Sequence, residues 1–353
     1  MAVDVRVLEA FNKQVRWCRE LGSPFTADLL QLAAQDLEQA GPLADVIGHW
    51  SGDPTADALP LRLAGALHAL VLSGTDANLA DHYPPLASGS PRPGLWPAVL
   101  HALNAQRPLI DRFLSTPPQT NEIRRSAVLL GGFMEIQQAI DMPLYLLEIG
   151  ASAGLNSNWD RYCYRLGNEI WGDPASPVQI STEWSGKLPP LQPPAIAGRA
   201  ACDLAPIDLE DAAQRLRLRA YVWADQRDRL TRLDAAIAMT RQLKFRVEQA
   251  DAAQWLAEHL ETARAGAGTV VFHSVMWQYL PSASQARIRQ VLEQAGKAAH
   301  LEAPLAWLRF EPGIGKPFEL RLTLWPDGTE HLLATGHPHG AAISWRSQMI
   351  STL

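Results

Sequence analysis

At 353 residues with a net charge of -6, the chain lacks the bulk positive field that draws a protein to nucleic acid or to an anionic membrane surface. Hydrophobic types at 47% against 19% charged allow one large core or two moderate ones and exclude global disorder. Cys18, Cys163 and Cys202 are widely spaced with no C-x-x-C pair, which suits a reducing compartment and gives neither a zinc cluster nor a disulfide framework.

The first residues, MAVDVRVLEAFNKQVRWCRELG, are amphipathic, so no secretory signal is expected there. No run approaches the roughly 18 apolar residues of a membrane-spanning helix, and a cytoplasmic location is expected. From 1 to 142 apolar positions recur at helical spacing, as in VLEAFNKQVRWCREL, LPLRLAGALHALVL and WPAVLHALNAQRPLIDRFL. Breaks at Ser23-Pro24, Gly41-Pro42, Pro84-Pro85, Pro91-Arg92-Pro93 and Pro117-Pro118 punctuate them. This pattern predicts an all-helical N-terminal domain of five to seven helices.

The texture changes at Pro143. PLYLLEIG is too short for a helix and is bounded by Pro and Gly, as a buried parallel strand should be. Similar runs follow at 197–205, 244–252, 268–276 and 304–313, separated by helical stretches such as RLTRLDAAIAMTRQL and SASQARIRQVLEQAGKAA. Alternation of this kind predicts an α/β domain over 143–353 with a parallel sheet. FELRLTLWPDGTEHLLATGHPHGAAISW closes it with strands meeting at Pro326-Asp327-Gly328. The Pro- and Trp-rich segment 160–196, with short strands near YRLGNEIW and PVQISTEW, reads as an insertion beside the sheet.

The strongest local signal is Glu148-Ile149-Gly150-Ala151-Ser152-Ala153-Gly154-Leu155-Asn156, a small-residue turn after a strand, opening into an expected helix LNSNWDRYCYRL. Gly150 permits a tight turn, Gly154 permits close backbone approach, and a helix start favours an anion. The dinucleotide pattern G-x-G-x-x-G fails, because Ser152 and Leu155 stand where glycines are needed. G-x-S-x-G, the elbow of serine hydrolases, matches with Ser152 at its tip. Such a hydrolase would draw on Asp251 and on His273 or His337, but about 140 helical residues precede this elbow where strands and an oxyanion loop belong.

The same turn, Glu148 included, also resembles motif I of class I S-adenosylmethionine (SAM)-dependent methyltransferases. Asp203 in Cys202-Asp203-Leu204-Ala205-Pro206 resembles that family's ribose-binding acid, with Asp208 as the fallback. Ala250-Asp251-Ala252 resembles the pair that meets adenine. His273 to Tyr279 occupies the end of the fourth strand, where this fold gathers groups around the transferred methyl. The resemblance implies a Rossmann-like, seven-stranded methyltransferase-type sheet. More closely, PPQTNE, LEIGASAGLN, CDLAPID, WADQ, FHSVMWQYLP and HPHGA together resemble an uncharacterised bacterial family, domain of unknown function (DUF) 2332, over nearly the whole chain.

What the resemblance implies is a SAM-dependent methyltransferase acting on a small-molecule or protein acceptor. The alternatives are a SAM- or nucleotide-binding protein without transfer and a hydrolase using Ser152. Glu148, Gly150, Ser152, Gly154, Asn156, Asp203, Asp251 and Ala252 are the expected cofactor contacts. His273 is the expected base and Asp225 its runner-up. Asn121, Trp223, Gln226, Trp277 and Tyr279 are expected to meet substrate, Trp277 and Tyr279 by cation–π attraction to a sulfonium. Asn121 or Thr120 also reads as a helix cap, Asp225 as an N-cap and His273 as a satisfied core histidine. His337-Pro338-His339 lacks the neighbouring Cys or carboxylate pattern of a metal site, so no metal is expected. Neither nucleic acid nor membrane is an expected partner.

Overall fold

The computed structural model describes residues 3–84, 93–313 and 317–346, so the breaks at Pro85 and at Pro91-Arg92 lie outside the described residues. In chain order it forms α1 (Val5–Glu20), α2 (Pro24–Glu38), α3 (Ala44–Ile47), α4 (Leu59–Leu72), α5 (Ala77–Ala80), α6 (Leu95–Ala105), α7 (Arg107–Leu114) and α8 (Ser126–Ile140). There follow β1 (Leu144–Ile149), β2 (Cys163–Leu166), β3 (Glu169–Trp171), β4 (Gln179–Ser185), β5 (Ile196–Asp203), α9 (Ala212–Ala220) and α10 (Arg227–Gln242). The chain continues through β6 (Glu248–Gln249), α11 (Ala252–His259), β7 (Gly268–Ser274), α12 (Ser282–Ala298), β8 (Leu305–Pro312), β9 (Phe318–Trp325), β10 (Thr329–Gly336) and β11 (Ala342–Trp345). No helix among the described residues is long and apolar enough to cross a membrane.

Two compact units result, one from Met1–Thr120 with Glu210–Thr231, the other from Asn121–Leu209 with Arg232–Leu353. The first unit is helical. Helix α1 starts at Asp4, whose side chain accepts from Arg6 N, and buries Val7, Phe11, Val15 and Cys18 on one face because they recur every three or four residues. These side chains join Leu30, Leu67, Leu70 and Val99 in one apolar cluster. Helix α4 is buried from Leu59 to Leu70 except at Leu61 and packs on α1, α2, α7 and α9.

Where the sequence draws a single boundary at 142, the compact units divide the chain elsewhere. Helix α8 is apolar on every face, buried continuously from Ser126 to Ile136, and lies on β8, β9 and β10. Gly132 permits this approach, since a Cβ there would come within 2.5 Å of Leu308. Residues 121–142 therefore belong with the sheet, while 210–231 belongs to the helical unit through α9 on α4.

The second unit carries one mixed sheet of eleven strands in the order β3-β2-β4-β11-β10-β9-β8-β7-β1-β5-β6. Pairings from β8 through β7, β1 and β5 to β6 are parallel, and β8, β9, β10 and β11 pair antiparallel in succession. The sheet exceeds the expected seven strands for a physical reason. Segment 160–196 joins the sheet as the hairpin β2-β3 and strand β4, which pairs parallel with β11. The strand expected over 244–252 shrinks to the two residues of β6.

Candidate active site at the carboxyl edge of the sheet

Strand β1 pairs with β7 on one side and β5 on the other, so the chain reverses its winding between β1 and β7. A crevice outside the carboxyl ends at such a switch point is where open α/β sheets bind ligands. The turn after β1 holds three residues at positive φ: Gly150 (64°), Ser152 (55°) and Gly154 (69°). Val275, just beyond β7, sits at φ 54°, a rare conformation for a β-branched residue. Backbone strain is therefore gathered at the ends of the two strands that flank the switch point.

The expected helix after the turn is not formed. Asn156–Arg161 makes a short 3-10 segment broken at Asn158, and Cys163–Leu166 is strand. The cause lies in the side chains. Asn158 donates to Thr240 Oγ1 (3.1 Å), Tyr162 Oη donates to Leu155 O (2.5 Å) and Tyr164 Oη donates to Trp159 O (2.8 Å), and the two tyrosine bonds occupy carbonyls that helical pairing would use. Residues 151–159 are all buried. A Cβ on Gly150 would strike Met276, and one on Gly154 would strike Phe245 and Val247.

Glu148 is 3% exposed and hydrogen-bonded to Ser157. Burial, reinforced by the charge of Asp203, pushes its carboxyl up to about 8, so it holds its proton at neutral pH. Asp203 Oδ2 accepts from Ser152 N (2.8 Å) and Oδ1 from Ala205 N (2.9 Å), tying the end of β5 to the turn. Asp251 is the N-cap of α11, accepting from Ala253 and Gln254 N (both 3.0 Å), with Ala252 half-buried beside it. Ser152 Oγ and Asn156 Oδ1 are buried without a hydrogen-bond partner among the described residues. Ser152 thus has no histidine at hydrogen-bond distance, and the base a hydrolase needs is not engaged.

His273 is fully buried. Its Nδ1 bonds Glu311 Oε1 at 2.7 Å, and its Nε2 accepts from Trp307 Nε1 at 3.1 Å. An indole N–H only donates, so the proton of the neutral ring stands on Nδ1 and the Nε2 lone pair is taken. In this arrangement His273 offers nothing to a substrate proton. Trp277 stacks on it with ring centroids 5.3 Å apart, and Arg289 lies over Trp277 at 5.0 Å. Tyr279 is 75% exposed. Glu311 Oε1 also accepts from Met276 N (3.1 Å), while Oε2 is buried without a partner among the described residues.

Trp223, Asp225 and Gln226 lie in the helical unit. Asp225 Oδ1 accepts from Ser23 Oγ (2.5 Å) and Oδ2 from Phe25 N (2.9 Å), so it caps α2, whose own Ser23 forms no side-chain cap. Gln226 donates to Leu21 O (3.3 Å) at the end of α1. Asp225 is therefore not free to act as a base.

Asn121 does not cap the helix that follows it. Glu122 does so by accepting from Arg124 N (3.1 Å), while Asn121 Oδ1 accepts from Leu155 N (2.9 Å) in the glycine turn. Asn156 Nδ2 reaches Glu122 O (3.4 Å), Arg125 Nε reaches Pro338 O (2.9 Å), and Gly340 leaves room for the carbonyl of Arg124. Residues 121–125, the glycine turn and residues 338–340 thus meet at one place. His337 Nδ1 accepts from His339 N (3.1 Å), and burial together with Arg124 lowers the His337 pKa. Among the described residues no three His, Cys, Asp or Glu side chains converge as metal ligands.

Glu311 and Trp307 were absent from the expected site, and Met276 fell inside the His273–Tyr279 segment without being singled out. Glu311 had a signal, since it ends a predicted strand as Asp203 does. The interior roles of Trp307 and Met276 depend on pairing β7 with β8 and have no local signature.

Fold and site together define a mixed α/β protein with a strained, glycine-containing turn at the switch point of its parallel strands. The chain belongs to the family described as "Uncharacterized protein conserved in bacteria (DUF2332)", which matches residues 8–345. No curated protein and no solved structure matches it.

Proposed function

We propose that the second unit binds S-adenosylmethionine along the carboxyl ends of β6, β5, β1 and β7, and that the protein is a methyltransferase for a small-molecule or protein acceptor. In this reading β6-β5-β1-β7-β8-β9-β10 is a seven-stranded Rossmann-like core, extended by β11 and the insertion strands. One observation carries it: a turn with positive-φ glycines at the switch point is bonded directly to an acidic strand end, Asp203, with a second acid, Asp251, one strand further out.

The residues fit the cofactor in part. Gly150 is half-buried, and the side chain nearest to where its Cβ would stand is Met276, a flexible thioether that a ligand can displace. Orphaned Ser152 Oγ, Asn156 Oδ1 and Glu311 Oε2 supply polar atoms that a ligand would satisfy. Asp203 keeps lone pairs for ribose hydroxyls. Bound SAM supplies an already activated methyl, so the chain contributes alignment and exclusion of water. Because His273 and Asp225 are both committed, the acceptor in this reading carries its own lone pair at neutral pH. Those same two commitments favour, as a second reading, SAM or nucleotide binding without transfer.

Calorimetry with SAM and its demethylated product tests the assignment. Saturable binding, weakened about tenfold in Asp203→Asn, which corresponds to about 1.4 kcal/mol, is the expected result. Saturation at about 100 times Kd should stabilise the fold by about 2.7 kcal/mol. Failure of both ligands to bind the wild type overturns the proposal. Binding without product formation across thiol, amine and protein acceptors selects the second reading.

A further inference from the structure

The parallel strands run in the order β6-β5-β1-β7-β8. Asp251 follows β6 and Asp203 ends β5, on the side where the methyltransferase reading puts the cofactor. Glu311 lies near the end of β8, across β7 from both acids. All of these residues belong to the second unit.

Glu311 is 9% exposed, and its carboxyl is held by one oxygen only. Oε1 accepts twice, from His273 Nδ1 (2.7 Å) and from Met276 N (3.1 Å). The His273 ring is fixed at its other nitrogen by Trp307 Nε1 (3.1 Å), and the positive-φ turn at Val275 precedes Met276 N. Oε2 is buried and has no partner among the described residues, a costly state for a carboxyl oxygen and one that calls for an explanation. Directly opposite Glu311 in register stands a second acid, Glu319. The nearby guanidinium of Arg321 is spent on Glu319 (2.8 Å) and on Glu330.

We infer that Glu311 is a catalytic residue of the proposed transfer, receiving through Oε2 the proton of an acceptor nitrogen, so that the acceptor is an uncharged amine bearing an N–H. The inference rests on the methyltransferase reading, in which His273 and Asp225 are committed elsewhere and the acceptor attacks with its own lone pair. That lone pair forms the N–CH3 bond as the C–S bond breaks with its electron pair to sulfur. The nitrogen, made cationic by the attack, releases its proton to Oε2. A carboxylate is too weak a base to make a thiolate or an alkoxide ahead of the attack, and a carboxylate acceptor would face two further acids, Glu311 and Glu319. Met276, whose N is bonded to Glu311 and whose side chain packs on Gly150, is the flexible side chain that an entering acceptor displaces to reach Oε2.

The test supplies the full chain with methyl-labelled SAM and with the protein and small-molecule fractions of a bacterial extract, kept apart, and measures SAM affinity separately by calorimetry. The expected result is label on nitrogen, stable to base and identified by mass spectrometry. Glu311→Gln keeps an oxygen for His273 and Met276 and puts an amide where Oε2 stood. It should bind SAM within threefold of wild type and transfer the methyl about 100-fold more slowly or worse. Glu311→Asp, whose carboxyl is drawn back by one methylene, serves if the first variant does not fold, and should lose about tenfold or more in rate at unchanged SAM affinity. Label released by base as methanol, label found on sulfur or oxygen, or an unchanged rate in Glu311→Gln would each overturn the inference. So would a tenfold loss of SAM affinity in that variant, because Oε2 would then belong to the cofactor's site. Wild type that binds SAM and labels neither fraction also overturns it and leaves SAM binding standing, whereas wild type that binds no SAM overturns the methyltransferase reading itself and the inference with it.

Discussion

Replacing His273 by alanine removes two hydrogen bonds from a buried place and leaves both partners behind. Glu311 loses its 2.7 Å bond from Nδ1 and retains only Met276 N, while the Trp307 indole N–H loses its acceptor. A bond to a carboxylate contributes about 1.5–3 kcal/mol and a neutral one about 1 kcal/mol. The vacated ring volume beneath Trp277 adds to this. The total is about 3–5 kcal/mol, which for a unit of about 200 residues lowers Tm by roughly 10 °C. Thermal unfolding followed by near-ultraviolet circular dichroism reads the change through the neighbouring tryptophans. A drop below about 3 °C would refute the reasoning, because it would mean that the ring carries neither bond and is free to exchange protons with a substrate.

Two further perturbations address the remaining charged groups. The Glu148 carboxyl is raised from 4.5 to about 8 by burial, so the folded state holds a proton that the unfolded chain releases between those values. Stability should fall as pH rises through that window, at about 1.4 kcal/mol per unit for this group alone. Glu148→Gln should flatten the dependence and melt higher than wild type at pH 8.5, and identical pH slopes in the two proteins would contradict the assignment. Asp225→Ala removes both bonds that cap α2, which should cost about 1–2 kcal/mol in thermal melts and leave SAM affinity within twofold. A large loss of affinity with an unchanged Tm would instead make Asp225 part of a site.

Much of the fold was legible because its signals are local. Period-3.6 apolar spacing marks α1 and α4, and short apolar runs bounded by Pro and Gly mark β1, β5, β7 and β8. The Pro326-Asp327-Gly328 turn marks the β9-β10 hairpin. Even the insertion's strands, β2, β3 and β4, fall to within one residue on the two segments that the sequence singles out. LNSNWDRYCYRL failed as a helix where Asn158 bonds distant Thr240 and Tyr162 and Tyr164 fold back onto the carbonyls of Leu155 and Trp159.

The candidate site divides along the same line. By itself the sequence determined that Gly150 and Gly154 form a turn and that acids end successive strands, since both depend on the chain's own stereochemistry. Only the tertiary structure decided what those groups do. Pairing β7 with β8 sets Glu311 and Trp307 on the two nitrogens of His273. The packing of Met276 covers Gly150, and return of the chain at 220–225 caps α2. A hydrogen bond requires two residues to meet in space. For residues 34 to 202 positions apart, no local propensity records that meeting.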